Sequence, residues 1–216
     1  MLSATFHFHD FGVAIAVGLL GELGDKTFFT AMMLSMRRGK ARALTSSLAA
    51  LFAMTVISTA LGVMVKTFPA FLENGEGIVK TVGALLFAFF GITSLLQART
   101  AQQDSDTERQ EASKQVVETL GQQRGERGSW REWWQCAALV FFAEWGDRSM
   151  LAQIALAATC NPIGAILGGL LGHAVTTSAA VWGGEVLHGR IDEVTAKVVG
   201  GGLFLLFAVA TLFGIA

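Results

Sequence analysis

The 216-residue chain has few charged residues and no excess of either sign. Only 15% of its residues are Asp, Glu, Lys or Arg, whereas an average soluble domain has about 25%. The 17 acidic and 16 basic residues nearly cancel, which leaves a formal net charge of −1. This balance argues against a nucleic acid as the main partner, because chains that bind nucleic acids are usually clearly basic.

Cysteine is scarce as well. Cys136 and Cys160 lie near opposite ends of one predicted helix, which would separate them by about 36 Å at 1.5 Å per residue. That distance excludes a disulfide bond between them, and we expect both to be small packing residues. No Lys or Arg precedes Lys26, so the first apolar segment lacks the basic region expected of a cleaved signal peptide.

Long uncharged segments dominate the rest of the chain. The mean hydropathy is +0.52, and no charged residue occurs within 43–65, 81–98 or 198–216. A helix that crosses a bilayer needs about 20 mostly apolar residues. The sequence therefore predicts an all-α integral membrane protein.

Hydropathy predicts six transmembrane helices. Their approximate ranges are 11–35, 43–65, 78–97, 133–158, 162–187 and 198–216. The polar segment between the third and fourth helices predicts a mobile, solvated linker that is helical in part. We therefore divide the chain into a first three-helix repeat, 1–97, a cytoplasmic polar linker, 98–132, and a second three-helix repeat, 133–216.

The basic residues predict the orientation in the membrane. Twelve Lys and Arg residues fall in the linker and in the loops after the first and fifth predicted helices, whereas only Lys66 and Lys80 fall on the other side. Because cytoplasmic loops carry an excess of Lys and Arg, we expect the twelve to lie in the cytoplasm. Both termini are then non-cytoplasmic.

A seven-residue motif occurs twice, 122 residues apart. GELGDKT begins at Gly21, and AEWGDRS begins at Ala143. Each half contains three predicted transmembrane helices, an odd number, so the second half is inverted relative to the first. The sequence therefore predicts two inverted repeats, as in many secondary transporters, with the two motifs meeting near the middle of the membrane.

The two motifs place six ionisable side chains inside predicted transmembrane helices. They are Glu22, Asp25, Lys26, Glu144, Asp147 and Arg148. Each costs about 2.5–3.5 kcal/mol at the centre of a membrane helix when unpaired. Their sum, roughly 15–20 kcal/mol, is comparable to or larger than a typical folding free energy of ~5–15 kcal/mol. These groups must therefore face one another, water or an ion.

The spacing within each motif favours a cation site. Glu and Asp three residues apart share one face of a helix, so the two motifs together present four carboxylates. Lys26 and Arg148 each follow the Glu of their own motif by four residues and could pair with it. The net formal charge of −2 would be balanced by one divalent cation, and oxygen ligands suit Ca²⁺, Mn²⁺ or Mg²⁺. Because carboxylates also bind protons, competition between the two provides a simple basis for exchange.

Other polar and small residues allow two interpretations. Gln153 extends the polar path beyond Glu144, and His173 is a candidate site residue or proton relay, although an interhelical hydrogen bond explains His173 equally well. Gly24 and Gly146 indicate either an unwound turn in each motif or close helix packing. The glycines at 164, 168 and 172 are more typical of a helix-packing face than of a site.

The duplicated Glu-x-Gly-Asp-(Lys/Arg)-(Thr/Ser) motif resembles the signature of the GDT family of small cation/proton exchangers. The resemblance implies a transporter, not an enzyme, that exchanges Mn²⁺ or Ca²⁺ for protons and exports the metal from the cytoplasm. It implies no cofactor, and its partners are the lipid bilayer and divalent cations. It also fits a bacterial inner membrane or a cyanobacterial plasma or thylakoid membrane. The oligomeric state is left open.

The resemblance also assigns residues to roles. The metal and proton ligands it implies are Glu22, Asp25, Glu144 and Asp147. The residues it implies for motif support and proton coupling are Lys26, Thr27, Arg148 and Ser149.

Two other functions fit the sequence less well. Intramembrane aspartyl proteases place aspartates in transmembrane helices within Gly-x-Gly-Asp and Tyr-Asp motifs, but Glu22 and Glu144 occupy the first Gly position, and the chain has no tyrosine. A passive cation channel usually needs a ring of subunits or a pore loop. Lys26 and Arg148 would also obstruct cation flow through such a channel.

Overall fold

The computed structural model describes residues 8–67, 75–120, 130–187 and 193–213. Within these ranges the chain forms nine α-helices and no strand. The helices are α1 (Phe8–Glu22), α2 (Lys26–Arg38), α3 (Lys40–Thr67), α4 (Gly75–Gln97), α5 (Ala101–Leu120), α6 (Trp130–Glu144), α7 (Arg148–Thr159), α8 (Pro162–Leu187) and α9 (Glu193–Leu212). The all-helical prediction is confirmed for these ranges.

The first and fourth predicted transmembrane helices are each broken inside the motif. The helix ends at Glu22 and resumes at Lys26, and it ends again at Glu144 and resumes at Arg148. Each of the predicted membrane segments 11–35 and 133–158 therefore consists of two helices joined by an unwound turn, one of the two alternatives that the motif glycines left open. Hydropathy detects only apolar length, and it does not detect a single residue in the left-handed conformation that ends a helix.

Part of the predicted mobile linker is an ordered helix. α5 has 20 residues, and its Ala112 and Val116 are fully buried in one apolar cluster with Phe28 and Met32 of α2. The prediction that the linker is helical in part is confirmed for 101–120. Two small apolar residues one turn apart give this polar helix a face that packs. Residues 121–129 of the predicted linker lie outside the described residues.

Three of the described helices are long and apolar enough to cross a membrane, namely Lys40–Thr67, Gly77–Gln97 and Pro162–Gly183. Two shorter apolar helical segments are Asp10–Leu19 and Lys197–Leu212. The outer face of α4 carries large exposed apolar side chains at helical spacing: Ile78, Val82, Leu85, Phe89, Ile92 and Leu96. Such an exposed apolar stripe is typical of a face that meets lipid.

The helices of the two halves pack against each other. α1 packs along α8, α3 packs along α6 and α7, and α4 packs along α9. The predicted packing role of the α8 glycines is confirmed, because a Cβ on Gly168 would lie 2.5 Å from Ala14 Cβ of α1. A Cβ on Gly172 would lie 3.1 Å from Gly18 Cα. These close approaches bring the end of α1, where the first motif begins, next to the middle of α8.

Candidate cation site

The two motifs share one backbone conformation. Asp25 is the N-cap residue of α2, with φ −88° and ψ 168°, and Asp147 is the N-cap residue of α7, with φ −76° and ψ 168°. In both motifs the Asp N–H donates a hydrogen bond of 3.1 Å to the carbonyl of the Glu three residues earlier. The repeated sequence therefore builds the same broken helix twice.

A glycine in the left-handed region makes each break. Gly24 has φ 75° and Gly146 has φ 80°, values that side chains other than Gly rarely adopt. A Cβ added at Gly146 would meet no atom within 4 Å, so close packing does not explain this glycine. Of the two interpretations of Gly146, the structure confirms the unwound turn.

Glu144 is bonded by hydroxyl groups of both motifs. Ser149, in its own motif, donates a hydrogen bond to Oε1, and Thr27, in the other motif, donates one to Oε2. The Glu144 side chain is almost fully buried, with 1% of its surface exposed. The motifs are therefore joined through a buried carboxylate.

Glu22, the matching residue of the first motif, meets α8 instead. Thr176 Oγ1 donates a hydrogen bond of 2.6 Å to Glu22 Oε2, and His173 Nδ1 lies against Glu22 Oε1. Glu22 and His173 are both buried. The structure thus places His173 beside a motif carboxylate, and the two halves of the site differ in their neighbours.

Asp25 faces the basic residue of the opposite motif. Arg148 Nη2 lies 3.4 Å from Asp25 Oδ1. Among the described residues, no group donates a hydrogen bond to Asp25 Oδ2, although this atom is buried. Asp147 is less buried, and its Oδ1 accepts a hydrogen bond of 2.7 Å from the backbone N–H of Arg148.

Lys26 does not join the carboxylates. Its Nζ lies 3.6 Å from Glu111 Oε2 of α5. The prediction that Lys26 and Arg148 pair with the Glu of their own motif was therefore wrong. Residues four apart meet only on a continuous helix, and in both motifs the helix breaks between the Glu and the basic residue.

Gln153 lies on α7, one turn beyond Ser149. Its side-chain nitrogen donates hydrogen bonds of 3.1 Å to Thr59 Oγ1 and 3.0 Å to the Ala165 carbonyl, which ties α7 to α3 and α8. Gln153 also lines a cavity of about 10 Å³ together with Glu144, Ser149 and His173. This volume is close to the minimum that holds one water molecule.

The predicted ligands lie in one region, but their side chains do not converge on a common point where one metal ion could bind. Within the described ranges, no three His, Cys, Asp or Glu side chains are arranged to hold one ion. The carboxylates instead divide into Glu22 with His173, Glu144 with the two hydroxyls, and the two aspartates with Arg148. The role of the four carboxylates as metal ligands stays a prediction, and their oxygen atoms suit a hard cation as substrate.

Two contacts of these groups were not predicted from the sequence. Thr176 matches Thr55 in the repeat, with an offset of 121 residues, and this correspondence was the available signal for its position near the site. Glu111 has no counterpart in the repeat and lies in a polar segment, so no sequence pattern distinguishes it from its neighbours.

Comparison with known proteins identifies a family whose match includes both motifs. A family model described as "Divalent cation/proton antiporter GDT1" matches residues 10–102 and 132–215, which include both motifs. The chain belongs to the GDT1 family. The predicted resemblance is therefore confirmed, and this description is that of a transporter family, not of an enzyme family. Most of α5 lies outside the matched residues.

The GDT1-family relatives include plant proteins. "GDT1-like protein 2, chloroplastic" of Oryza sativa subsp. japonica is 39% identical over 214 residues, which cover 95% of this chain and 61% of the relative. "Protein PAM71-homolog, chloroplastic" of Arabidopsis thaliana is 36% identical, over 95% of this chain and 59% of the relative. "GDT1-like protein 3" of Arabidopsis thaliana is 38% identical, over 90% and 67%.

The chain spans about three-fifths of the length of the first two of these relatives. No solved structure matches the chain.

Proposed function

We propose that this GDT1-family chain exchanges a divalent cation, Mn²⁺ or Ca²⁺, for protons and exports the metal from the cytoplasm. The observation that carries the proposal is the crossed contact between the two broken helices. Thr27 of the first motif binds Glu144 of the second, and Arg148 of the second motif pairs with Asp25 of the first. Charged groups buried at helix breaks inside a membrane protein usually mark an ion pathway.

The proposal includes six membrane-crossing units arranged as two inverted repeats. The units are α1 with α2, α3, α4, α6 with α7, α8, and α9, and they divide into the repeats 1–97 and 133–216 on either side of the linker 98–132. The packing pattern supports this arrangement, because α1 and α2 pack on α8 as α6 and α7 pack on α3.

Cysteine labelling tests this topology. Both native cysteines are buried, so they give little background reaction. Thr67 and Arg99 are exposed at opposite ends of the first repeat. We expect Arg99→Cys to react from the cytoplasmic side and Thr67→Cys from the other side, as required by non-cytoplasmic termini in a bacterial inner membrane or a cyanobacterial plasma or thylakoid membrane. Reaction of both from one side would contradict the proposed orientation.

The chemistry proposed for exchange is competition for carboxylate oxygens. Of the four motif carboxylates, Asp25 pairs with Arg148. Lys26 is paired with Glu111, outside this group. A divalent cation that enters would compete with Arg148 for Asp25 and with the hydroxyl donors for Glu144. Protonation of the carboxylates removes their charge and favours release of the cation.

His173 is the proposed second proton carrier. It lies against Glu22 in a buried environment, and histidine changes its charge near neutral pH more readily than any other side chain. Its position in the repeat is matched by Phe52 in the first half, at the offset of 121 residues. A proton carrier of this kind would therefore act on the Glu22 side of the site alone.

Transport in proteoliposomes tests the function. A pH-sensitive dye is trapped inside, the voltage is clamped, and inward gradients of Mn²⁺ and then of Ca²⁺ are imposed. We expect metal uptake with counterflow of protons, and loss of both in Glu144→Gln. Glu118→Gln, at an exposed position of α5, is the control that should transport normally.

The same experiment separates the alternatives. Metal uptake without proton movement would favour the passive channel. No uptake of either metal would contradict the proposed function. The ratio of the Mn²⁺ and Ca²⁺ rates would rank the two ions.

A further inference from the structure

α5 lies between two helices, α2 and α9, whose counterparts in the repeat contact each other directly. α4 of the first repeat packs directly on α7 of the second, so closely that a Cβ on Gly83 would lie 2.8 Å from Thr159 Cγ2. The corresponding pair is α9 and α2. In the part of the chain that the structure describes, α9 makes no comparable contact with α2, and α5 packs against both of them.

The apolar contact between α5 and α2 is small. Among residues 106–120 of α5, only Ala112 and Val116 are fully buried, in the cluster that contains Phe28 and Met32. The flank of this contact is open, because Met33 of α2 lines a cavity of about 350 Å³ with four residues of α5: Asp106, Arg109, Gln110 and Ser113. A helix held by two small side chains beside a cavity separates from its partner more readily than a fully packed helix.

The middle of α5 carries an acidic residue to the first motif. Glu111 pairs with Lys26 at 3.6 Å, and Lys26 is the first residue of α2. Glu111 therefore lies beside the helix break of the first motif.

The C-terminal end of α5 is fixed by polar contacts. Arg38 Nη2 donates a hydrogen bond of 2.7 Å to the Leu120 carbonyl. The same guanidinium pairs with Glu132 at 2.9 Å, and both partners of that pair are buried. α5 is thus anchored at its C-terminal end, near the end of α2 that carries Arg37 and Arg38. Its middle is attached to α2 by Ala112, Val116 and one exposed ion pair.

From this arrangement we propose that α5 is the cytoplasmic gate of the cation pathway. It is wedged between α2 and α9, it closes the route to the motif carboxylates, and the Glu111–Lys26 pair is its latch. This inference rests on the proposed exchange function. Movement of α5 away from α2, about the anchor at Arg38, opens the route.

Reversible cross-linking of α5 to α2 tests the gate. Met33→Cys and Ser113→Cys are introduced together in a chain carrying Cys136→Ala and Cys160→Ala, and they are joined by a short reducible reagent with two thiol-reactive ends. We expect Mn²⁺/proton exchange in proteoliposomes to fall at least tenfold on cross-linking and to return on reduction. Each single-cysteine variant, treated with the same reagent, should keep its rate. Exchange at the full rate in the cross-linked protein would overturn the gate while leaving the exchange function standing.

The latch has a test that does not require transport. The rate at which a membrane-impermeant maleimide labels Met33→Cys, in the same background, reports separation of α5 from α2. Glu111→Gln should raise this rate severalfold, and Glu118→Gln, which changes an exposed glutamate two turns further along α5, should not. Equal rates in the two variants would overturn the latch, whether or not the protein proves to exchange cations for protons.

Discussion

Thr27 of the first motif donates a hydrogen bond to the carboxylate of Glu144 in the second motif, 117 residues later in the chain. Arg148 reaches back in the other direction to Asp25. Each broken helix therefore completes the polar surroundings of the other. A change in one motif should alter the properties of the carboxylates in both.

The Thr27 hydroxyl is predicted to be needed at Glu144. Thr27→Val keeps the shape of the side chain but leaves one oxygen of a buried carboxylate without its donor, which should lower the free energy of unfolding by about 1–3 kcal/mol. Exchange should fall by about tenfold, the factor that 1.4 kcal/mol corresponds to. Thr27→Ser keeps the hydroxyl and should remain close to the unmodified protein in both thermal unfolding and transport. Equal behaviour of Thr27→Val and Thr27→Ser would contradict this role.

The motif carboxylates are predicted to be essential for exchange and dispensable for folding. Glu22→Gln and Asp147→Asn each remove a charge that would bind cation or proton, while an amide can keep hydrogen bonds to neighbouring groups. We expect no detectable Mn²⁺- or Ca²⁺-driven proton movement in proteoliposomes for either variant. Elution and thermal unfolding in detergent should match those of Glu118→Gln. Normal transport by both variants would refute the assigned site.

His173 is predicted to affect the number of protons exchanged. His173→Gln removes a titratable group beside Glu22 without adding an apolar side chain. We expect fewer protons moved per metal ion, measured as the membrane potential at which a fixed pH gradient and a fixed metal gradient produce no net flux. A wild-type balance point in His173→Gln would assign to His173 a purely structural hydrogen-bonding role.

Gly146 is predicted to be required for its backbone angle. Gly146→Ala introduces no clash within 4 Å, but it forces a side chain to φ 80°, which costs about 1–2 kcal/mol. Gly202, on the exposed side of α9, also has open space around it, and Gly202→Ala should stabilise the helix by up to about 1 kcal/mol. Denaturant unfolding in detergent compares the two. Equal changes of the same sign would contradict the conformational explanation.

Glu132 is predicted to hold together the end of α2 and the beginnings of α3 and α6. Its two oxygens bind Arg38 at 2.9 Å and Arg42 at 2.6 Å, and all three side chains are largely buried. Glu132→Ala leaves two arginines without their partner, a change that costs about 3–5 kcal/mol at a buried site. Thermal unfolding should show this loss, and Glu118→Ala should show almost none. A small effect of Glu132→Ala would mean that water replaces the carboxylate.

The duplicated motif was enough to predict that GELGDKT and AEWGDRS lie near each other, and Thr27 and Arg148 do contact residues of the opposite motif. The cost of unpaired charge in a membrane permits few other arrangements of these residues. The sequence did not predict the partner of each charge. A helix break changes which side chains face each other, and pairing rules for continuous helices do not apply across it.

In the linker, the sequence did not predict a tertiary contact. The composition of 101–120 favoured a solvated segment, since it contains few large apolar residues. Ala112 and Val116 nevertheless bury themselves against α2, because a complementary apolar surface already exists there. The composition of a segment describes its own side chains and carries no information about the surface against which the segment packs.

What the sequence determined by itself is therefore the class of the protein, the duplicated motif and the identity of the candidate site residues, since apolar length and buried charge are properties of the chain alone. Only the tertiary structure decided that each motif is a break between two helices, that Arg148 pairs with Asp25 while Lys26 pairs with Glu111, and that α5 lies between α2 and α9. These relationships depend on distances between residues far apart in the chain. Those distances are set by the packing of several segments together and cannot be predicted from any one segment.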